Sequence, residues 1–178
     1  EFRRVLFRSD VQFMLRGAVK EAGLLALINE HIARRTGTAP LGEGFNARSA
    51  PADHGQLLEL CQRNIPVEHM PVLVGVGDTI TSEPDGQGGW RRGGSDRGFL
   101  TLLQELGGQF GRKNRVVLVD SSAGEVDRPS LRDPELKGLS DPDDPLKPDV
   151  LVPGGPDAYV AWFRSEEHTS ELQSPMYL

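Results

Sequence analysis

The chain has 178 residues, 37% of them hydrophobic, and a formal net charge of −6 at neutral pH. That is the length of one domain or of half a larger one, with enough apolar content for a core, and the acidic balance argues against nucleic-acid and anionic-membrane partners. The single cysteine, Cys61, excludes a disulfide framework, and no apolar run reaches membrane-spanning length, so the cytoplasm is the expected compartment.

The two ends share an unusual relation. Glu1 to Ser9 can be written as GAG TTC AGA CGT GTG CTC TTC CGA TCT, whose reverse complement translates as Arg164 to Leu172. A stretch at each end encoded by opposite strands of one DNA word resembles translated sequencing adapter, continued through Gln173 to Leu178. Segments 1–9 and 164–178 are therefore expected to be tags without a core role, apart from opportunistic helix. Arg3, Arg4 and Arg8 are then no basic arm, and Glu166, Glu167 and His168 no ligand set. The charges of the two tags cancel, so the insert over 10–163 keeps the overall −6.

From Val11 to Leu15, apolar and polar residues alternate as in a short strand, and Arg16 to Lys20 reads as a loop. A helix follows from Glu21, with Leu24, Leu25, Leu27, Ile28 and Ile32 on one face, Arg34 and Arg35 suited to its C-terminal dipole, and Gly37 placed to end it. Residues 38–52 are loop-like, and a second helix is expected from about Asp53 to Arg63. Cys61 has helical spacing with the leucines before it, which marks a core cysteine rather than a nucleophile. Val72 to Gly77 is an apolar run that stops at Asp78, the pattern of a buried parallel strand. Residues 80–94 are polar and glycine-rich. Pro84-Asp85-Gly86 signals a turn, so this is a surface excursion of hairpin type, with Arg91 and Arg92 at a solvated tip. Phe99, Leu102, Leu103 and Leu106 mark a helix, Arg115 to Val119 a second buried strand, and 121–149 a proline-punctuated loop. Val150 to Val152 is a last strand, and a helix starts at Pro156. The alternation implies an α/β fold: a mostly parallel sheet with helices on both faces.

In such a sheet, ligands bind beyond the carboxyl ends of the strands. Asp78 ends a strand there, Asp96 opens a helix, and Lys20 sits on a strand-to-helix loop at the same edge. Two acids above a sheet edge suit a hard cation such as Mg²⁺, and a lysine beside them suits a phosphoryl group; as residues alone, they equally suit helix caps and turns. Other patterns fail. Gly75-x-Gly77 lacks the third glycine of a dinucleotide loop, since Ile80 stands there. His31 falls on an amphipathic helix, and His54 and His69 lack the spacing of a zinc set.

A lysine, then a strand ending in Gly-Asp, then a second Asp opening a helix resembles the later motifs of the haloacid dehalogenase superfamily. Phe13 to Gly23, Pro40 to Glu43, Gly75 to Thr79, Arg92 to Arg97, Val119 to Ser122 and Pro153 to Val160 resemble, more closely, the glucosylglycerol-phosphate phosphatases of that superfamily. At Pro156 a polar residue would be expected. The resemblance implies a HAD-like Rossmannoid core and Mg²⁺-dependent release of phosphate from glucosylglycerol 3-phosphate, a step in making a compatible solute under salt stress. It implies that Lys20 holds nucleophile and phosphate, that Asp78 and Asp96 hold the metal, and that Thr79, Ser95 and Arg16 are weaker supporting or substrate contacts.

The same resemblance implies a nucleophilic Asp-x-Asp after an opening strand, and none is present. Asp120 follows a strand, but Ser122 stands two residues on, while Asp141-Pro142-Asp143 has no strand before it. The expectation is that 10–163 is the C-terminal part of the phosphatase core, inactive alone, with nucleophile and substrate-selecting cap upstream. Another sugar phosphatase of the superfamily and a non-catalytic Rossmann-like binding module are the alternatives.

Overall fold

A computed structural model describes residues 20–124, 128–167 and 176–177. The expected strand at Val11–Leu15, the first tag and Arg16 lie outside the described residues. The elements in chain order are α1 (Lys20–Thr36), α2 (His54–Asn64), β1 (Leu73–Gly77), β2 (Thr81–Pro84), β3 (Trp90–Gly93), α3 (Arg97–Phe110), β4 (Arg115–Val119), β5 (Val150–Val152), α4 (Gly155–Glu167) and β6 (Met176–Tyr177). A single 3₁₀ turn, Val67–His69, joins α2 to β1.

The main sheet has the order β5-β4-β1-β6, and every pairing in it is parallel. Val76 stands beside Val117, and Leu118 beside Leu151. The α/β architecture expected from the alternation is the one observed, with a separate antiparallel hairpin, β2–β3, where the glycine-rich excursion was expected. Two elements reach into the expected second tag. α4 runs to Glu167, and Met176–Tyr177 pair with Leu73 and Val74.

Both faces of the sheet are covered. On one, α1, α2 and α3 bury Leu25, Ile28, Leu57, Leu100, Leu103 and Leu106 against Leu73, Val116 and Leu118. On the other, Tyr159 and Trp162 of α4 pack on Val74, Val117, Val119 and Val152. Each fully buried leucine contributes roughly 1.5–3 kcal/mol of transfer free energy. Side chains alternate across a strand, so Leu73, Gly75 and Gly77 share the face beneath α3. A Cβ on Gly75 would lie 2.8 Å from Leu103 Cδ1, and one on Gly77 would lie 2.9 Å from Asp96 Cβ. The Gly-x-Gly of β1 thus lets α3 lie close on the strand and leaves room for Asp96.

The ends of the helices follow local chemistry. Asp53 caps α2 by accepting from the Gln56 amide at 3.0 Å. Such a cap contributes about 1 kcal/mol. Gly37 (φ 77°) and Gly111 (φ 63°) stop α1 and α3 in the left-handed conformation. Buried Asn29 accepts from the Leu41 amide and donates to the Gly42 carbonyl, fastening the 38–45 loop onto α1.

Candidate active site at the carboxyl edge of the sheet

Parallel strands put their carboxyl ends on one edge, so Asp78 after β1 and Asp120 after β4 emerge together. Lys20, Asp78 and Asp96 converge there despite their separation in sequence. Asp96 is the hub. Its side chain is only 4% exposed. One carboxylate oxygen, Oδ1, takes the Lys20 ammonium. The other, Oδ2, accepts from the backbone amides of Asp78 and Thr79 at 2.8 and 2.9 Å. The Asp96 amide in turn donates to the Thr79 carbonyl at 3.0 Å. Asp96 stands at the mouth of α3 as expected, but its side chain does not cap its own helix. It fixes the turn that presents Asp78.

Lys20 is the first described residue of α1 rather than a loop residue, and its side chain stays 54% exposed. Helix geometry gives it a fixed base, and its Nζ lies 5.8 Å from the centre of the Phe99 ring. A cavity of about 320 Å³ opens beside it, lined by Leu24, Leu27, Val76, Asp96 and Phe99 among others.

Asp78 is left partly open, its side chain 46% exposed. Thr79 Oγ1 donates to its Oδ1 at 2.8 Å, and Arg128 Nη1 donates to its Oδ2 at 2.7 Å. Partial burial pushes its carboxyl upward. Hydrogen bonds from Thr79 and with Asp96, together with the Arg128 charge, outweigh that and hold it below the usual carboxylate range. Asp78 is therefore an ionised, accessible acid beside a buried, fully engaged one. Ser95 is exposed and lies just before Asp96.

Arg128 is the member of this cluster that sequence reasoning misses. From the loop after β4 it donates through Nη1 to Asp78, to Thr79 Oγ1 at 2.8 Å and to Ser121 Oγ at 2.9 Å. Its signal is weak: one arginine among prolines, fifty residues from its acid. Asp120 explains its placement. The Asp120 carboxylate accepts from the Ser122 amide and hydroxyl, the Ser130 hydroxyl and the Leu131 amide, at 2.5–2.8 Å. Burial raises the Asp120 carboxyl, but these donors outweigh it and bring it down to about 2. Asp120 is a loop anchor that sets Arg128 above Asp78.

The hairpin between Asp78 and Asp96 corrects a second expectation. Arg92 is not at a solvated tip. Its Nε and Nη2 grip the buried Asp141 carboxylate at 2.8 Å each, and Ser82 Oγ donates to the same acid at 2.5 Å. Arg97 Nη1 and Nη2 grip Asp144 at 2.8 Å each, and Nη2 also donates to the carbonyls of Thr81 and Leu139. The proline-rich loop is thus bolted to the hairpin. Only Arg91 is at the surface, paired with Glu83 at 2.7 Å. A larger cleft, about 680 Å³ between the hairpin and residues 134–142, shares no lining residue with the Lys20–Asp78–Asp96 cluster.

The described histidines stay outside the site. His54 pairs with Glu105 at 2.6 Å. Among the described residues no three His, Cys, Asp or Glu side chains gather as a metal cluster, and no helix is long and apolar enough to cross a membrane. Cys61 is buried, which pushes its thiol up to about 12 and makes it a core residue.

The model of the family described as glucosylglycerol-phosphate phosphatase matches residues 6–167. Among curated proteins, a glucosylglycerol-phosphate phosphatase of Synechocystis sp. is 49% identical over 168 residues, which is 88% of this chain and 40% of the relative. The chain thus spans two fifths of the length of the curated relative it matches. No solved structure matches it significantly.

Proposed function

The chain belongs to the glucosylglycerol-phosphate phosphatase family, and from that premise we propose that it is the C-terminal part of a phosphatase that hydrolyses glucosylglycerol 3-phosphate with Mg²⁺. The observation that carries this reading is the meeting of Lys20, Asp78 and Asp96 at the carboxyl edge of β1. A half-exposed carboxylate, a buried acid that fixes it and a half-exposed lysine form a cradle for a phosphoryl dianion and a counter-cation.

The residues fit Mg²⁺, a cation that takes one or two protein carboxylates and completes its shell with water and phosphate oxygens. Asp78 is the direct candidate, because its carboxylate faces solvent. Asp96 holds Asp78 through the backbone while its own oxygens are engaged. Mg²⁺ held by Asp78 would supply charge neutralisation for the phosphoryl oxygens. Lys20 adds a second positive charge on the α1 side and lowers the repulsion met by an incoming anionic nucleophile. Thr79 orients the Asp78 carboxylate through its hydroxyl.

The nucleophile belongs to the part of the protein upstream of residue 10. Among the described residues, β6 pairs only with Leu73 and Val74, so Gly75, Val76 and Gly77 have a strand neighbour on the β4 side alone. A further parallel strand seated there would bring its carboxyl end to Lys20 and Asp78.

The test joins this chain to the upstream part of its own gene. That protein should release phosphate from glucosylglycerol 3-phosphate with Mg²⁺ and stop with EDTA, and the isolated chain should not. Asp78→Asn, which keeps shape and removes charge, should lose at least about 100-fold in kcat, within the range seen when one electrostatic contact to the transition state is removed. Lys20→Met should lose activity with Mg²⁺ binding retained. Full activity of Asp78→Asn would remove the metal-site argument, and robust turnover by the isolated chain would overturn the fragment argument.

A further inference from the structure

We propose that Arg128 is a phosphate clamp: the Nε–Nη2 edge of its guanidinium receives two oxygens of the phosphoryl group. This inference rests on the phosphatase reading and adds to it a residue that the family resemblance does not assign. Three observations carry it. First, Arg128 is anchored from one side only. Nη1 makes all of its hydrogen bonds, to Asp78, Thr79 and Ser121, whereas Nε and Nη2 take no acceptor among the described residues. Second, the free edge is one that can bind two oxygens side by side. In Arg92 the same pair, Nε and Nη2, holds both oxygens of Asp141 at 2.8 Å. Third, the side chain is 31% exposed, so solvent reaches part of it.

An arginine is the fitting residue for this task. Its planar fork matches two oxygens of a carboxylate or phosphate, and it stays charged at every working pH. A buried protein acid fills that edge at Arg92, and at Arg128 none does among the described residues. The anchor also sets the address. Arg128 hangs from Asp78 and Thr79, the two residues whose amides Asp96 fixes, and Asp96 in turn holds Lys20. Arg128 thus belongs to the same hydrogen-bonded cluster as Lys20. Ser121 takes part in the anchoring, since its hydroxyl also donates to the Asp78 carbonyl at 3.2 Å.

The competing account makes Arg128 only the counter-ion of Asp78, and Arg128→Lys separates the two. Lysine keeps one positive charge beside Asp78 but loses the flat pair of donors. Inorganic phosphate is titrated calorimetrically into the full chain in the presence of Mg²⁺, with wild type, Arg128→Lys, Arg128→Ala and Lys20→Met compared. Thermal melting of each variant is recorded alongside. The clamp predicts that Arg128→Lys weakens phosphate binding at least about tenfold, some 1.4 kcal/mol, while its melting temperature stays at the wild-type value. Phosphate binding by Arg128→Lys equal to wild type would overturn the clamp. If only Lys20→Met weakens binding, the clamp falls and the phosphatase reading stands. If wild type binds no phosphate, that reading falls and takes the clamp with it.

Discussion

The hairpin is flanked by two clusters of aspartate and arginine that do opposite things. At its foot, Arg92 and Arg97 grip Asp141 and Asp144 with two bonds each, and both acids have fully buried side chains. At the sheet edge, Arg128 offers Asp78 a single nitrogen, and nearly half of the Asp78 side chain faces solvent. The same chemical pair is closed in one place and left open in the other. A closed pair has no spare donor or acceptor and can only hold structure. An open pair keeps a solvent-facing carboxylate and a guanidinium edge without an acceptor among the described residues.

The sharpest way to break this contrast is to remove one partner from each cluster. Arg97→Ala leaves Asp144 charged, buried and unpaired, and strips a donor from the Thr81 and Leu139 carbonyls. Breaking a buried pair in this way costs about 3–5 kcal/mol, so urea unfolding should show a large loss of stability or no folded protein. Asp78→Asn removes a half-exposed charge and should change stability by less than about 1 kcal/mol, the scale of exposed pairs. Equal losses in the two variants would mean that the open cluster is structural after all.

Acid separates the clusters in a second way. Donors and arginines lower the carboxyls of Asp141 and Asp144, and hydrogen bonds bring Asp120 down to about 2. A carboxyl depressed on folding binds its proton more readily when unfolded. The stability it contributes is complete above the ordinary value near 3.8 and is lost as pH falls toward the folded value. Melting temperature should therefore hold down to about pH 4 and then fall steeply toward about pH 2, where folded Asp120 takes up its proton. Asp120→Asn should flatten part of that fall. It should also loosen the 128–131 loop and weaken phosphate binding at Arg128 in neutral solution, because the Ser130 hydroxyl and Leu131 amide lose a charged acceptor.

What was legible in the sequence divides along the same line. β1, β4 and α3 are written locally, as apolar runs with the right period, and Gly77-Asp78 marks the strand end. The hairpin is legible too. Pro84-Asp85-Gly86 turns the chain because the Asp85 side chain accepts from the Gln87 and Gly89 amides, with Gly86 and Gly88 at positive φ. The meeting of Lys20, Asp78 and Asp96 follows from strand order once the sheet is taken as parallel. The arginines were not legible. Arg92 and Arg97 find acids 47 to 49 residues downstream, and Arg128 finds one 50 residues upstream. Such pairings have no period and no spacing rule, because they depend on how a loop is folded back over the sheet. A polar loop with four Asp-Pro or Lys-Pro steps reads as solvated, yet Leu131, Leu139, Leu146, Asp141 and Asp144 in it are buried.

The smallest effect tests the contrast within two neighbouring residues. Arg91 and Arg92 alternate on strand β3, so their side chains leave opposite faces of the hairpin. Arg91 is 77% exposed and meets Glu83, itself 58% exposed, whereas Arg92 turns inward to Asp141. The exposed pair is screened by water and salt, and its net worth is at most a few tenths of a kcal/mol. Arg91→Ala should therefore leave the urea midpoint within about 0.5 kcal/mol of wild type and leave phosphate binding unchanged. Arg92→Ala should destabilise the chain clearly, because Asp141 then keeps only Ser82 and the Asp143 amide as donors. If the two alanine variants behave alike, burial does not decide which arginine holds the hairpin. The division between a closed cluster and an open one would then lose its physical basis.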